Sequence, residues 1–216
     1  NTIYFVNYDM VQAEIGMTRW GQDFNPALMP KVRVFNEYYG GGMGSIVFQD
    51  IRESKALAYS AFSSYGTPDK KEDPFSSMFY VGTQADKLPL ALDAMNNLLN
   101  NMPESEKLLN IGKKSIKQGY ESKRITKEGI LFNYQNALRL GLNYDIREDI
   151  YNQVDKITLA DVKTFEEQNL KNKNWNIKLL GSKDKINLND LKKYGKVVEL
   201  NMKDIFGYDV EQVLKP

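Results

Sequence analysis

The chain has 216 residues, of which 42% are hydrophobic and 26% are charged. Its 29 Lys and Arg residues nearly balance its 28 Asp and Glu residues, which argues against a nucleic-acid-binding or membrane-surface protein. It contains neither histidine nor cysteine, so it cannot by itself build a Ser-His-Asp or Cys-His catalytic arrangement, a disulfide or a zinc site made of those ligands.

Length predicts one domain over 1–216, with 183–216 as a less certain tail. No apolar run approaches the ~18 residues that a membrane-spanning helix needs. Asn1 is not an initiator and no signal-peptide pattern follows it, so we expect a piece of something longer. The lack of cysteine leaves the compartment unknown, since a bacterial periplasm and a cytoplasm are both compatible with it.

The first half of the chain alternates strands with short helices. The predicted elements are strands over 2–6 and 11–17, a helix over 27–39, a short helix over 46–51, and strands over 57–65 and 75–83. The first two strands are expected to form a hairpin with one buried face. Along the third strand, we expect Tyr59, Ala61, Ser63 and Tyr65 to share one side.

The second half is mainly helical. The predicted helices cover 88–99, 104–122, 127–140 and 145–154, a further helix starts at 157–162, and a final core strand covers 175–181. Asp86 is placed to cap the first of these helices. Thr158 and Asp161 have the spacing of a capping box, and Ile157 and Val162 the spacing of a hydrophobic staple.

This order of elements predicts the fold class. Strands, helices, strands, a block of helices and a last strand favour an α+β domain, with a mainly antiparallel sheet and helices packed on one face. A doubly wound parallel sheet would need regular alternation of strands and helices.

The glycine cluster Gly40-Gly41-Gly42-Met43-Gly44 does not indicate a nucleotide site. A P-loop needs Lys and Ser or Thr after its last glycine, whereas Ser45 and Ile46 follow here. The dinucleotide pattern also fails, because the cluster follows a predicted helix rather than a strand. We therefore interpret it as a turn between helices whose glycines permit positive φ and close backbone approach.

Arg52 and Tyr59 are the candidate catalytic residues. Arg52 lies near the end of the short helix and Tyr59 near the start of the next strand. On generic grounds they could be a surface charge and a half-buried phenol. Alternatively, the turn between them brings guanidinium and phenol to one cavity, where both donate hydrogen bonds to a developing oxyanion without needing a histidine.

The sequence around these residues resembles the insulinase/pitrilysin family of metallopeptidases. Three runs carry the resemblance: Gly40 to Met43, Phe48 to Glu53 (FQDIRE) and Leu57 to Ser60 (LAYS). The opening segment with Gln12 (VQAEIGM) and the layout of elements also fit, so the resemblance covers roughly 2–182. It identifies the chain as the C-terminal, zinc-free half of such a peptidase.

The resemblance implies a clamshell of two homologous halves that closes around an unfolded peptide. The zinc site and its H-x-x-E-H helix lie in the N-terminal half, which is either on the same polypeptide or on a separate chain. The zinc-free half contributes an Arg–Tyr pair, matched here by Arg52 and Tyr59, to substrate binding and to the tetrahedral intermediate. This chain is then part of a zinc endopeptidase, holds no cofactor itself and is not active alone.

Two positions depart from the family pattern. Ala56 stands where glycine is usual, which is expected to alter the turn that presents Tyr59. Ile46 stands where arginine is frequent, which removes a polar contact expected between the halves. Two alternatives therefore remain: a non-catalytic scaffold or peptide-binding subunit of the same family, and an unrelated α+β binding domain.

Overall fold

A computed structural model describes residues 1–208 of the chain. The strands are β1 (Thr2–Asn7), β2 (Gln12–Asp23), β3 (Ala58–Gly66), β4 (Pro74–Gln84), β5 (Asn176–Gly181) and β6 (Lys196–Leu200). The α-helices are α1 (Met29–Tyr39), α2 (Leu88–Asn100), α3 (Glu106–Ser122), α4 (Lys127–Arg139), α5 (Ile146–Gln153), α6 (Leu159–Asn169), α7 (Leu188–Leu191) and α8 (Met202–Phe206). A π-helix, Phe48–Ser54, precedes β3, and 3₁₀ turns cover Pro26–Leu28, Ala85–Lys87 and Val154–Lys156.

The six strands form one mixed sheet in the order β3-β4-β2-β5-β1-β6. The β3–β4, β4–β2 and β2–β5 pairs are antiparallel, whereas β1 is parallel to both β5 and β6. The α+β class and the mainly antiparallel sheet are confirmed. The predicted hairpin of β1 and β2 is wrong, because β5 lies between them and supplies the hydrogen-bonding partners of both strands.

Within residues 1–208, helices cover one face of the sheet and leave the other face open. Buried residues alternate along the strands, as Ile3 and Phe5 do in β1 and Ala13, Ile15 and Met17 do in β2. These residues join helical residues in one core. The side chains between them form what we call the open face, which includes Gln12, Glu14 and Gly16 on β2 and Met78, Tyr80 and Gln84 on β4.

The chain leaves α1 through the glycine cluster and reaches β3 after the π-helix. Gly40 lies so close to β3 that a Cβ placed on it would be 2.2 Å from the carbonyl oxygen of Ser63. The expected close approach is therefore found at Gly40. The expected positive φ is not found in the cluster, because the positive-φ glycines of residues 1–208 are Gly141 and Gly207.

Helix starts were predicted with mixed success. Thr158 and Asp161 form the capping box of α6, in which Asp161 Oδ2 accepts a 3.0 Å hydrogen bond from the Thr158 N–H. Asp86 does not cap α2, because it lies within a 3₁₀ turn and Lys87 occupies the N-cap position without a side-chain hydrogen bond.

Strand β5 was predicted to be the final strand, but β6 follows it and extends the sheet beyond β1. Residues 183–208 of the predicted tail thus include a strand of the main sheet. Residues 209–216 of that tail lie outside the described residues. Within residues 1–208, we find no helix that has both the length and the apolar character required to cross a bilayer.

Candidate functional site

The π-helix presents Arg52 to solvent. The neighbouring residue Ile51 is fully buried and anchors this turn of the helix to the core. Arg52 therefore points away from the core, and 46% of the Arg52 side chain is exposed. The guanidinium carbon lies 4.8 Å from the ring centroid of Phe48, and Nε lies 3.8 Å from Oε1 of Glu53. An exposed pair of this length contributes little stability, so the guanidinium can exchange Glu53 for another acceptor.

The turn from Lys55 to Leu57 folds the chain back from the π-helix into β3. The Leu57 N–H donates a 3.0 Å hydrogen bond to the Ile51 carbonyl, and the Leu57 carbonyl accepts a 2.5 Å hydrogen bond from Oγ1 of Thr83. Ala56 takes a φ of +48°, the left-handed conformation that favours glycine. The glycine expected here from the resemblance would take this conformation without strain, whereas Ala56 takes it with its Cβ in place.

Tyr59 is the extra residue of a β-bulge at the start of β3. Ala58 pairs with Thr83 and Ser60 pairs with Gly82, so Tyr59 has no partner of its own on β4. The bulge changes the predicted alternation: Ala61, Ser63 and Tyr65 are buried, whereas Tyr59 is 55% exposed. The expectation that all four share one side is therefore wrong at Tyr59, because a bulge re-aims a side chain.

Gln84 holds the hydroxyl of Tyr59, and sequence reasoning missed this residue. Its Nε2 donates a 2.9 Å hydrogen bond to the Tyr59 oxygen. Gln84 belongs to the open face, opposite Gln12 of β2, so the phenol also lies at that face. Since its oxygen already accepts from Gln84, the Tyr59 hydroxyl keeps its own hydrogen available for a further acceptor.

Arg52 and Tyr59 thus flank one turn, and both are exposed. No hydrogen bond joins them, since each has a different partner, Glu53 or Gln84. The other family departure, Ile46, is 5% exposed and packs in the core.

A second polar group lies beside Tyr59 on the open face. The Tyr80 hydroxyl on β4 donates a short hydrogen bond to Oε2 of Glu14 on β2. Phe62 on β3 stacks on the Tyr80 ring, with centroids 5.0 Å apart and an interplanar angle of 28°. Burial and the adjacent Glu14 carboxylate raise the pKa of Tyr80 to about 12, so its hydroxyl stays protonated. Sequence reasoning missed these residues, because only strand register brings them together.

The chain does not itself fit a zinc ion. Zinc sites in proteins are built mainly from His and Cys, and the sequence has neither. Across the described 1–208 range, no three acidic side chains gather as a metal site would require.

Comparisons with known proteins place the chain in a family. Residues 1–114 match the family described as the peptidase M16 inactive domain. The chain is 30% identical over 139 residues to the uncharacterized zinc protease YmxG of Bacillus subtilis, covering 62% of this chain and 33% of that protein. It is 33% identical over 104 residues to an uncharacterized zinc protease of Rickettsia bellii, covering 48% of this chain and 24% of that protein.

The solved structures show the same fold. The peptidase M16 inactive domain from Pseudomonas fluorescens superimposes with a TM-score of 0.70 at 20% identity, over 84% of this chain and 43% of that chain. This chain therefore spans about a third or less of the curated relatives' length and less than half of that structure. The resemblance to a zinc-free peptidase half is confirmed, and because the family match covers more than half of the residues, the chain belongs to the peptidase M16 inactive domain family.

Proposed function

We propose that this domain is the C-terminal half of a zinc-dependent endopeptidase and supplies Arg52 and Tyr59 to the peptide bond that is cleaved. The zinc-bearing half is a homologous domain, on the same polypeptide or on a separate chain. Its existence is supported by the relatives, which are named zinc proteases and are about three or more times as long as the matched region.

The main support for the proposal is the orientation of the Tyr59 side chain and the hydrogen bond at its hydroxyl. A β-bulge turns its side chain out of the core, and Gln84 holds its oxygen at 2.9 Å, which leaves the O–H free to donate. Arg52 lies across the same turn, and its guanidinium offers only hydrogen-bond donors. A phenol and a guanidinium that share one surface are suited to bind a peptide carbonyl and, more strongly, the oxyanion into which it develops.

This role concerns the transition state more than the ground state. The negative charge on the carbonyl oxygen grows as the tetrahedral intermediate forms, so donors aimed at that oxygen stabilise it most at that point. Removing one such donor costs about 10²–10³ in turnover in other enzymes.

The test is Tyr59→Phe in the protease that contains this chain, assembled with its zinc-bearing half. The substitution keeps the ring and removes the hydroxyl, so we expect kcat for peptide cleavage to fall about 100-fold while KM changes little. Tyr134→Phe is the matched control, because Tyr134 is similarly exposed but lies on helix α4 rather than on the sheet that carries Tyr59. Unchanged turnover in Tyr59→Phe would overturn the catalytic role and favour the alternative, a domain that scaffolds the protease or holds peptide.

A further inference from the structure

A carboxylate without a basic partner among the described residues occupies the open face, on which Tyr59 also lies. Glu14 accepts a hydrogen bond from Tyr80 at Oε2. Among residues 1–208, it forms no ion pair within 4.0 Å. Lys178 of β5 lies opposite Gly16, two residues further along β2, and is not within that distance either. The Tyr80 bond therefore leaves most of the acceptor capacity of Glu14 unused.

Two glycines shape the space around this carboxylate. Gly82 lies opposite Glu14, and a Cβ placed there would come within 3.1 Å of Oε2 of Glu14 and 3.2 Å of the Tyr80 oxygen. Gly16 lies opposite Tyr80, and a Cβ placed there would meet nothing within 4 Å. The surface beside the Tyr80 ring is therefore open, with a carboxylate at one end and stacked aromatic rings along it.

This combination suits a long basic side chain. The stacked rings of Phe62 and Tyr80 offer an apolar wall to the methylene stem of lysine or arginine and attract its cation. Glu14 offers a charge-assisted hydrogen bond to the ammonium or guanidinium group. Tyr80, whose pKa is raised to about 12, fixes the carboxylate without adding a charge.

Register sets the distance from this group to Tyr59. Gln84, which holds Tyr59, pairs with Gln12, and Gly82 pairs with Glu14. Successive residues on one face of a strand are about 6.8 Å apart, which is also the i to i+2 spacing of an extended peptide. A peptide whose carbonyl lies at Tyr59 can therefore reach Glu14 with a side chain one or two residues away.

We propose that Glu14, Tyr80 and Phe62 form a subsite that binds a lysine or arginine side chain of the substrate within two residues of the cleaved bond. The inference rests on the proposed function, since it requires the open face to meet the peptide.

The test compares two fluorogenic peptides that differ in one residue near the cleaved bond, lysine in one and norleucine in the other. Assembled wild-type protease is expected to cleave the lysine peptide with a kcat/KM about tenfold higher, which corresponds to one charge-assisted contact. Glu14→Gln keeps the shape and removes the charge, so the preference should fall to about twofold or less. Glu14→Lys should disfavour the lysine peptide and favour one with glutamate at that position.

Matched variants separate this inference from the proposed function. Glu199→Gln makes the same charge change on β6, where Glu199 pairs with Lys183 at the far edge of the sheet, and should leave the preference intact. Tyr59→Phe should lower kcat for both peptides equally and also leave their ratio intact. Equal cleavage of the two peptides by wild type, or a preference unchanged in Glu14→Gln, overturns the subsite even where Tyr59→Phe confirms catalysis.

Discussion

At the scale of single residues, the candidate site depends on backbone conformation as much as on side-chain chemistry. Tyr59 faces outward because β3 contains one residue more than β4 at this point. Ala56 accepts a left-handed conformation that costs a non-glycine residue about 1–2 kcal/mol. Both features lie in the segment that connects Arg52 with Tyr59. The surrounding structure therefore holds this segment in a backbone conformation that its residues would not prefer by themselves.

The conformation of Ala56 makes a prediction about stability. Replacement by glycine relieves the strain at φ +48° but adds freedom to the unfolded chain, so Ala56→Gly should raise the free energy of unfolding by about 0.5–1 kcal/mol. Urea unfolding of this chain measures the change. Ala58→Gly, the same substitution in the extended strand β3, should instead lower the free energy of unfolding. A loss of stability in Ala56→Gly would contradict the assigned strain.

At the scale of elements, burial separates helices that the sequence pattern treats alike. Helices α2 and α4 both have 13 residues, but α2 buries seven of them and α4 buries none. The large apolar residues of α4 are more than half exposed: Ile130, Leu131, Phe132, Tyr134 and Leu138. Apolar periodicity predicted both helices correctly. It could not indicate that α4 lacks a covering element in the described part of the chain, because contact with a distant segment is not encoded in local spacing.

This difference should be visible in amide hydrogen exchange of the chain by itself. Most helical stability in proteins comes from tertiary packing, and α4 has little of it, so its amides should exchange at least about 100-fold faster than those of α2. Exchange followed by mass spectrometry of peptides from the two helices tests this. The equal length of the helices removes the effect of length, and equal protection would contradict the expectation.

The elements also show why some of the site could not be predicted. Arg52 and Tyr59 lie seven positions apart in one recognisable segment, so sequence alone located them. Gln84 comes from β4, and Glu14 comes from β2, 45 residues before Tyr59 in the numbering. Alternation along β2 did place Glu14 on the polar side. Only the register of β2 against β4 brings it to Tyr80.

At the scale of the whole molecule, local pairing was predictable and long-range pairing was not. The hairpin of β3 and β4 follows from two apolar runs around a polar turn, and the structure confirms it. The apparent hairpin of β1 and β2 fails because β5, more than 150 residues later, inserts between them. A short polar break is compatible with either arrangement. The sheet is therefore completed by its last segments, β5 and β6.

Among the described residues 1–208, the packing of α1 against α6 leaves two buried polar groups without partners. Glu166 of α6 is 2% exposed, and its Oε1 has no hydrogen bond. The hydroxyl of Tyr39 on α1 is also buried and unpaired. Burial raises the pKa of Glu166 to about 7, with Lys171 and Lys163 opposing the rise and Glu167 adding to it. Burial, followed by the charge of Glu166, raises the pKa of Tyr39 well above its usual value.

The buried carboxyl of Glu166 should make the stability of the whole domain depend on pH. Because its pKa rises from 4.5 in the unfolded chain to about 7 in the fold, the native state binds the extra proton, and the free energy of unfolding should fall as pH rises between these values. Glu166→Gln removes this dependence. Chemical unfolding at pH 5 and pH 8 should show the variant gaining about 2 kcal/mol on wild type between the two pH values, which is less than the full shift because part of the change lies below pH 5. The burial of the new amide costs the same at both pH values and cancels in this difference. Glu167→Gln, at the more exposed neighbouring position, is the control and should gain much less stability over the same pH range. If Glu166→Gln has the same dependence of unfolding free energy on pH as wild type, the Glu166 carboxyl is ionised in the fold and the prediction is wrong.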